Sequence, residues 1–166
     1  VAQLFAREGA SLALLDRDTD GLEETAEATG SSCFAVDIID ESGVTSVMEK
    51  VAESLGGIDG LVNCAGIMFR GKTADVAADA WRRVLEVNLT GIFHVIRATV
   101  PHLIKGDRGG SIILVSSAGG LKGNPGFAAY SASKHGVVGL MRSLAGELGP
   151  YGIRVNTLNP GSVNTG

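Results

Sequence analysis

The stretch Gly110–Leu148, GSIILVSSAGGLKGNPGFAAYSASKHGVVGLMRSLAGEL, decides how the rest of the chain is read. Ile112–Val115 is a short apolar run of the length of a buried strand. A glycine-rich loop follows, then a helix from about Ala128 to Gly149, which Pro150 ends. The strand closes on Ser116 and Ser117, and the helix opens with Tyr130 and Lys134. Residues four apart on a helix share a face, with Cβ atoms about 5–6 Å apart. A hydroxyl, a phenol and an amine thus converge at the mouth of one sheet.

Outward from this stretch, strands and helices alternate. Val1–Glu8 reads as the end of a helix with Val1, Leu4 and Phe5 on one face and Gly9 as its left-handed cap. Ser11–Leu15 is a strand that runs into Asp16, Thr19–Thr29 a polar helix closed by Gly30, and Cys33–Val36 a strand that runs into Asp37. In Glu41–Leu55, Val44, Val47, Met48, Val51 and Leu55 have helical spacing. Gly60–Val62 leads into Asn63-Cys64-Ala65-Gly66. One long helix is expected over about Asp79–Leu103, with Trp81, Val84, Leu85, Leu89, Ile92, Phe93 and Ile96 facing inward. Ile153–Thr157 is the last strand, before Asn159-Pro160-Gly161. Such alternation implies an α/β fold, a doubly wound parallel sheet of the Rossmann kind, with ligands at the carboxyl ends of the strands. Asp16, Asp37, Asn63 and Ser117 all fall at that edge.

Composition narrows the functions. The 166 residues suit one domain with a real core, and a hydrophobic share of 45% argues against disorder. Gly is 24 residues and Pro only 4, so the glycines serve turns and close packing rather than low complexity. A net charge of -4 with scattered basic residues argues against a nucleic-acid partner. No apolar run of about 18 residues points to a membrane span, and VAQLFAREGA lacks a signal-peptide pattern. Cys33 and Cys64 lie far apart in apolar runs and read as two buried thiols of a reducing, cytoplasmic compartment. His94, His102 and His135 form no recognisable ligand set, so no metal is expected.

A phenol of reference pKa about 10 is a poor base at neutral pH. A neighbouring ammonium and the field of a positively charged cofactor favour its ionised form. Tyr130 beside Lys134 is therefore a candidate general acid or base.

Five motifs in order resemble the short-chain dehydrogenase/reductase family over the whole chain: NCAG at Asn63–Gly66, VNLTG at Val87–Gly91, Ser117 on its strand end, YSASK at Tyr130–Lys134 and NPGSVNT at Asn159–Thr165. The resemblance implies an oxidoreductase that moves a hydride between a nicotinamide cofactor and a secondary alcohol or ketone. Ser117 would polarise the substrate oxygen, Tyr130 exchange its proton, and Lys134 hold the nicotinamide ribose. Asn88 stands where the family has the helix Asn that positions a relay water, and a poor helix former inside an apolar stretch agrees with such a role. Between Ser116 and Ser117 the residues alone leave the choice nearly even; the family's spacing to the tyrosine selects Ser117.

For the cofactor, Asp16 would accept ribose hydroxyls and repel a 2′-phosphate, which favours NAD over NADP, although Arg17 next to it could meet a phosphate. Asp37 and Ile38 resemble the adenine-contacting pair, Asn63 and Ala65 the residues beneath the adenosine ribose, and Val163 and Thr165 those at the nicotinamide carboxamide. Cys64 replaces the usual second Asn of that motif. Two alternatives share the motifs: a 3-oxoacyl-thioester reductase, which would use NADPH, and a non-catalytic dinucleotide-binding relative.

The family's glycine-rich phosphate loop, first strand and last strand have no counterpart in these 166 residues, so the chain reads as a fragment. Loss of the first strand should separate the Ser11–Leu15 strand from the Leu61–Val62 strand, leaving a weakly stable piece that binds NAD poorly. The two long helices resemble those through which the family forms dimers and tetramers, with Gly136, Gly139, Ala145 and Gly146 permitting close contact. Met68, Phe69, Leu121 and Phe127 suggest an apolar pocket wall for a small-molecule substrate.

Overall fold

A computed structural model describes residues 1–163. Thr165 lies outside the described residues. The chain runs α1 (Ala2–Arg7), β1 (Ala13–Asp16), α2 (Thr19–Thr29), β2 (Ser32–Ala35), α3 (Glu41–Leu55), β3 (Gly60–Asn63), α4 (Ala78–Leu85), α5 (Ile92–Gly106), β4 (Gly110–Val115), α6 (Ala128–Leu148) and β5 (Ile153–Leu158). Short-range chemistry sets many of these limits. Gly30 and Gly56 end α2 and α3 in the left-handed conformation, with φ of 65° and 70°. Asp40 caps α3 by accepting the Gly43 N–H at 3.0 Å and the Ser42 hydroxyl at 2.8 Å, which holds its carboxyl below the usual range.

All strand pairs are parallel. β1 pairs with β2, and β4 lies between β3 and β5, so the doubly wound sheet is present in two pieces. Among the described residues no strand joins β1 to β3, and each has one unpaired edge. The pieces share one core nevertheless. Val44, Met48 and Val51 of α3 pack with Ile92, Val95 and Ile96 of α5, and Ala13, Leu15 and Phe34 from β1 and β2 lie against the same cluster. No helix among the described residues is long and apolar enough to cross a membrane.

Two expectations need correction. The long helix is not one regular helix, because a π-helical segment, Glu86–Gly91, separates α4 from α5. Its wider turn changes the phase of the residues that follow, and π-segments occur often at functional sites. Trp81 and Phe93, expected inside, are 39% and 44% exposed, while Val87, Asn88 and Ile92 take the interior. The cysteines are free but exposed, not buried. Cys33 lies on β2, an edge strand, and Cys64 just follows β3, whose one flank has no neighbouring strand.

Candidate active site

The site grows from the carboxyl end of β4. Beyond the last regular pair of the sheet, the Ser116 N–H donates to the Leu158 carbonyl and the Ala118 N–H to the Pro160 carbonyl, both at 2.8 Å. The residue between them, Ser117, is thus held on an extended backbone beside the Asn159-Pro160-Gly161 turn. Its Oγ accepts the Gly119 N–H at 3.0 Å, starting the short 3₁₀ turn Ala118–Gly120. That contact uses an oxygen lone pair and leaves the hydroxyl proton free to donate.

Ser116 has a different task. It is buried, and its hydroxyl donates to the Lys134 carbonyl at 2.9 Å. A Cβ on Gly120 would approach that carbonyl oxygen to 2.7 Å, so only glycine lets the 3₁₀ turn sit this close to α6. The geometry separates the two serines that the residues alone left even: Ser116 is a buried strut, while Ser117 is half-buried at the opening.

On α6, Tyr130 and Lys134 occupy the same face, with Nζ 5.8 Å from the centre of the phenol ring. Phe127 meets Tyr130 edge to face at 6.4 Å between centroids, and the Arg70 guanidinium lies 5.6 Å from the Phe127 ring centre. Gly119 marks the convergence. A Cβ there would touch Tyr130 Cε1 at 3.4 Å and Ser117 Oγ at 3.5 Å. Lys134 is buried and donates to the Val115 carbonyl at 2.8 Å. Burial pulls its ammonium below the usual lysine range, with Cys64 nearby opposing the shift.

Asn88, fully buried in the π-segment, joins the turn after β3 to α6. Its Oδ1 accepts the Ile67 N–H at 2.7 Å, and its Nδ2 donates to the Ile67 carbonyl at 2.8 Å and to Ser133 Oγ at 3.1 Å. Ser133 in turn donates to the Tyr130 carbonyl at 2.7 Å. Ser133 has no motif signal beyond its place inside YSASK, and its link was not legible in the sequence. The side-chain amide of Asn88 is therefore fully used inside the protein. It holds the cofactor-side turn against the helix that carries Tyr130. A Cβ on Gly66 in that turn would lie 3.3 Å from Lys134 Nζ and 3.4 Å from Asn88 Oδ1.

Asn63 ends β3 buried, and its Oδ1 accepts the Ala65 N–H at 3.1 Å, which shapes the turn. Asp16 and Asp37 follow the strands of the other sheet piece. Asp16 Oδ1 accepts the N–H groups of Arg17 at 2.7 Å and Asp18 at 3.1 Å. Ile38 packs on Gly91, where a Cβ would come within 2.7 Å of its Cγ1, and its carbonyl lies 3.1 Å from His94 Nδ1. Asn88, Ser117, Tyr130, Lys134 and the Asn63–Gly66 turn form one group, whereas Asp16, Asp37 and Ile38 form a second group on the other piece. Val163 is exposed at 64%. Of the suggested pocket wall, Phe69 lines a cavity of about 260 Å³ with Val76, Trp81 and Ala129, while Met68 and Leu121 are exposed.

The chain is 40% identical to (-)-trans-carveol dehydrogenase of Rhodococcus erythropolis, over 97% of this chain and 65% of that protein. It is also 40% identical to trans-4-hydroxycyclohexanecarboxylate dehydrogenase of Sinomonas cyclohexanicum, over 99% and 67%. The crystal structure of carveol dehydrogenase from Mycobacterium avium in complex with NAD superposes with a TM-score of 0.96 at 37% identity, covering 99% of this chain and 66% of that one. This chain thus spans about two thirds of the length of these relatives. The family model for short chain dehydrogenase matches residues 1–166, and with these identities it shows that the chain belongs to the short-chain dehydrogenase/reductase family of oxidoreductases.

Proposed function

We propose that the intact protein is a NAD-dependent oxidoreductase that interconverts a secondary alcohol and a ketone, with Tyr130 as general acid/base. The observation that carries this reading is the convergence of the Ser117 hydroxyl, the Tyr130 ring and the Lys134 ammonium at the carboxyl end of β4. The residues present fit a nicotinamide dinucleotide. Lys134 has three N–H donors and, among the described residues, one protein acceptor, so two donors remain for a ribose diol. At the other piece, Asp16 spends only Oδ1 on its own turn, which leaves Oδ2 for ribose hydroxyls.

When bound, NAD supplies the hydride acceptor or donor. The free proton of Ser117 donates to the substrate oxygen and orients it. Tyr130 takes the hydroxyl proton in the oxidation direction and returns it in reduction. Lys134 holds the ribose and presents positive charge beside the phenol, while Asn88 and Ser133 keep the turn after β3 in place against α6. Two relatives carry the names of cyclic-alcohol dehydrogenases, and the apolar cavity beside Ala129 agrees with a compact, largely apolar substrate. The exposed small residues Gly139, Ala145 and Gly146 on α6 and the exposed Phe93 on α5 support assembly as a homodimer or homotetramer. Gly136 serves this chain instead, since a Cβ there would lie 2.9 Å from Leu89.

The test is Tyr130→Phe in the intact protein, followed by NADH absorbance over a panel of cyclic secondary alcohols. Turnover should fall about 10²- to 10⁴-fold with NADH binding retained. A parent that binds NADH but turns over no alcohol or ketone would leave the non-catalytic relative as the better reading. A strong NADPH preference would favour the 3-oxoacyl-thioester reductase.

A further inference from the structure

We propose that Asp37 is a specificity-determining residue that keeps Arg17 and Arg83 from a 2′-phosphate, and so enforces the preference for a dinucleotide without one. This rests on the nicotinamide reading above and extends it to a residue with no assigned part in that choice. Two guanidiniums approach one carboxylate oxygen. Arg17 Nη1 lies 3.8 Å from Asp37 Oδ2, and Arg83 Nη2 lies 3.7 Å from the same atom. Arg17 comes from the turn after β1, next to Asp16, and Arg83 from α4. The other carboxylate oxygen, Oδ1, accepts the Ile39 N–H at 3.2 Å, which keeps the side chain oriented toward the arginines.

The charge count explains the consequence. Asp16, Asp37, Arg17 and Arg83 sum to zero where the ribose end of a dinucleotide would lie. A 2′-phosphate arriving there meets two carboxylates, and the guanidinium next to the ribose acid is already turned toward Asp37. An Arg in this position is what accommodates a 2′-phosphate in NADP-binding sites. Removing the charge of Asp37 leaves two cations against one anion and frees both guanidiniums, which bind phosphate strongly and in a directed way. Asp16 therefore acts by direct repulsion, and Asp37 acts through the arginines. Exposed ion pairs are individually weak, so the expected change in preference is moderate. The side chain of Arg17 is 59% exposed and that of Arg83 39%, so both can be redirected without disturbing the core.

The experiment compares kcat/KM for NADP and NAD, and binding of NADPH and NADH by fluorescence, in the intact protein. Asp37→Asn should raise the NADP:NAD ratio about tenfold, the gain of one charge-assisted phosphate contact. Adding Arg17→Ala to that variant should cancel most of the rise, and Arg83→Ala a smaller part. An unchanged ratio in an Asp37→Asn protein that still binds NADH like the parent overturns the proposal. A rise that survives Arg17→Ala also overturns it, because the carboxylate would then act by its own repulsion. Asp37→Ser, which keeps an oxygen near the Ile39 N–H, must give the same pattern if Asp37→Asn expresses poorly. A parent that binds neither NADH nor NADPH defeats the nicotinamide reading itself, and this inference with it.

Discussion

The two pieces of the sheet are built differently. β4 and β5 bury Ile112, Leu114, Ile153 and Val155 to 5% exposure or less, and α5 and α6 cover them with long apolar faces. β1 and β2 contain no buried residue, and α2 buries only Leu22 and Ala26. The acid/base group stands on the first piece, on a strand end and helix fixed by buried hydrogen bonds. The acids and arginines that would judge the adenosine end stand on the second, in exposed turns. Proton transfer needs sub-ångström placement, so it belongs on rigid elements. Charge discrimination acts over a longer range and tolerates looser support.

The contrast can be broken most directly by core truncation in this chain. Leu114→Ala on β4 should destabilise by about 2–5 kcal/mol, the range for a fully buried leucine. Leu14→Ala on β1, a half-buried position, should cost only about 1 kcal/mol. Urea unfolding measures both, and hydrogen exchange should show β1 and β2 amides opening well before those of β4. Equal losses at the two leucines would remove the distinction.

A second comparison sharpens the picture inside the rigid piece. Ser116 and Ser133 are both buried, and each donates to a carbonyl of α6, but only Ser133 also accepts from Asn88. Ser116→Ala should cost about 1 kcal/mol of stability, while Ser133→Ala, which strands an Asn88 N–H, should cost about 2 kcal/mol. In the intact protein only Ser133→Ala should also lower kcat, because it loosens the link between Tyr130 and the turn after β3. Thermal unfolding and steady-state kinetics separate the two effects.

The smallest effect is the pH dependence of Lys134. Burial lowers its folded-state pKa below the ordinary value of 10.5 that it regains on unfolding. Between those two values the unfolded chain binds more protons than the folded one, so the contribution of this lysine to stability rises with pH. Well below the folded pKa both states are charged, and the cost of burying the ammonium is present in full. The stability of the parent relative to Lys134→Met should therefore improve as pH is raised from 7 toward 10. Chemical denaturation across that range measures it, and a gap that widens against the parent would contradict the assignment.

Legibility from sequence followed the range of the interactions involved. α2 and α3 lie within Thr19–Thr29 and Glu41–Leu55 as read, because Gly30, Asp40 and Gly56 act within a few residues of the ends they set. The motif group around Tyr130 was readable for a similar reason, since i,i+4 placement on a helix is local. The π-segment was not readable, because its distinguishing contact joins Asn88 to Ile67, 21 positions away. Nor was the exposure of Cys33 and Cys64, which depends on which strands flank them. The same apolar run reads as buried in the middle of a sheet and is exposed at its edge.

By itself, then, the sequence determined the alternation of strands and helices, their caps, and the residue types collected at one sheet edge. All of these depend on periodicity and on chemistry between near neighbours. The tertiary structure alone decided that Ser116 is a strut and Ser117 faces outward, that Ser133 ties Asn88 to Tyr130, and that Arg17 and Arg83 turn toward Asp37. Those outcomes depend on the direction of individual hydrogen bonds and on charges brought together from distant segments. No local pattern encodes them until the elements have packed.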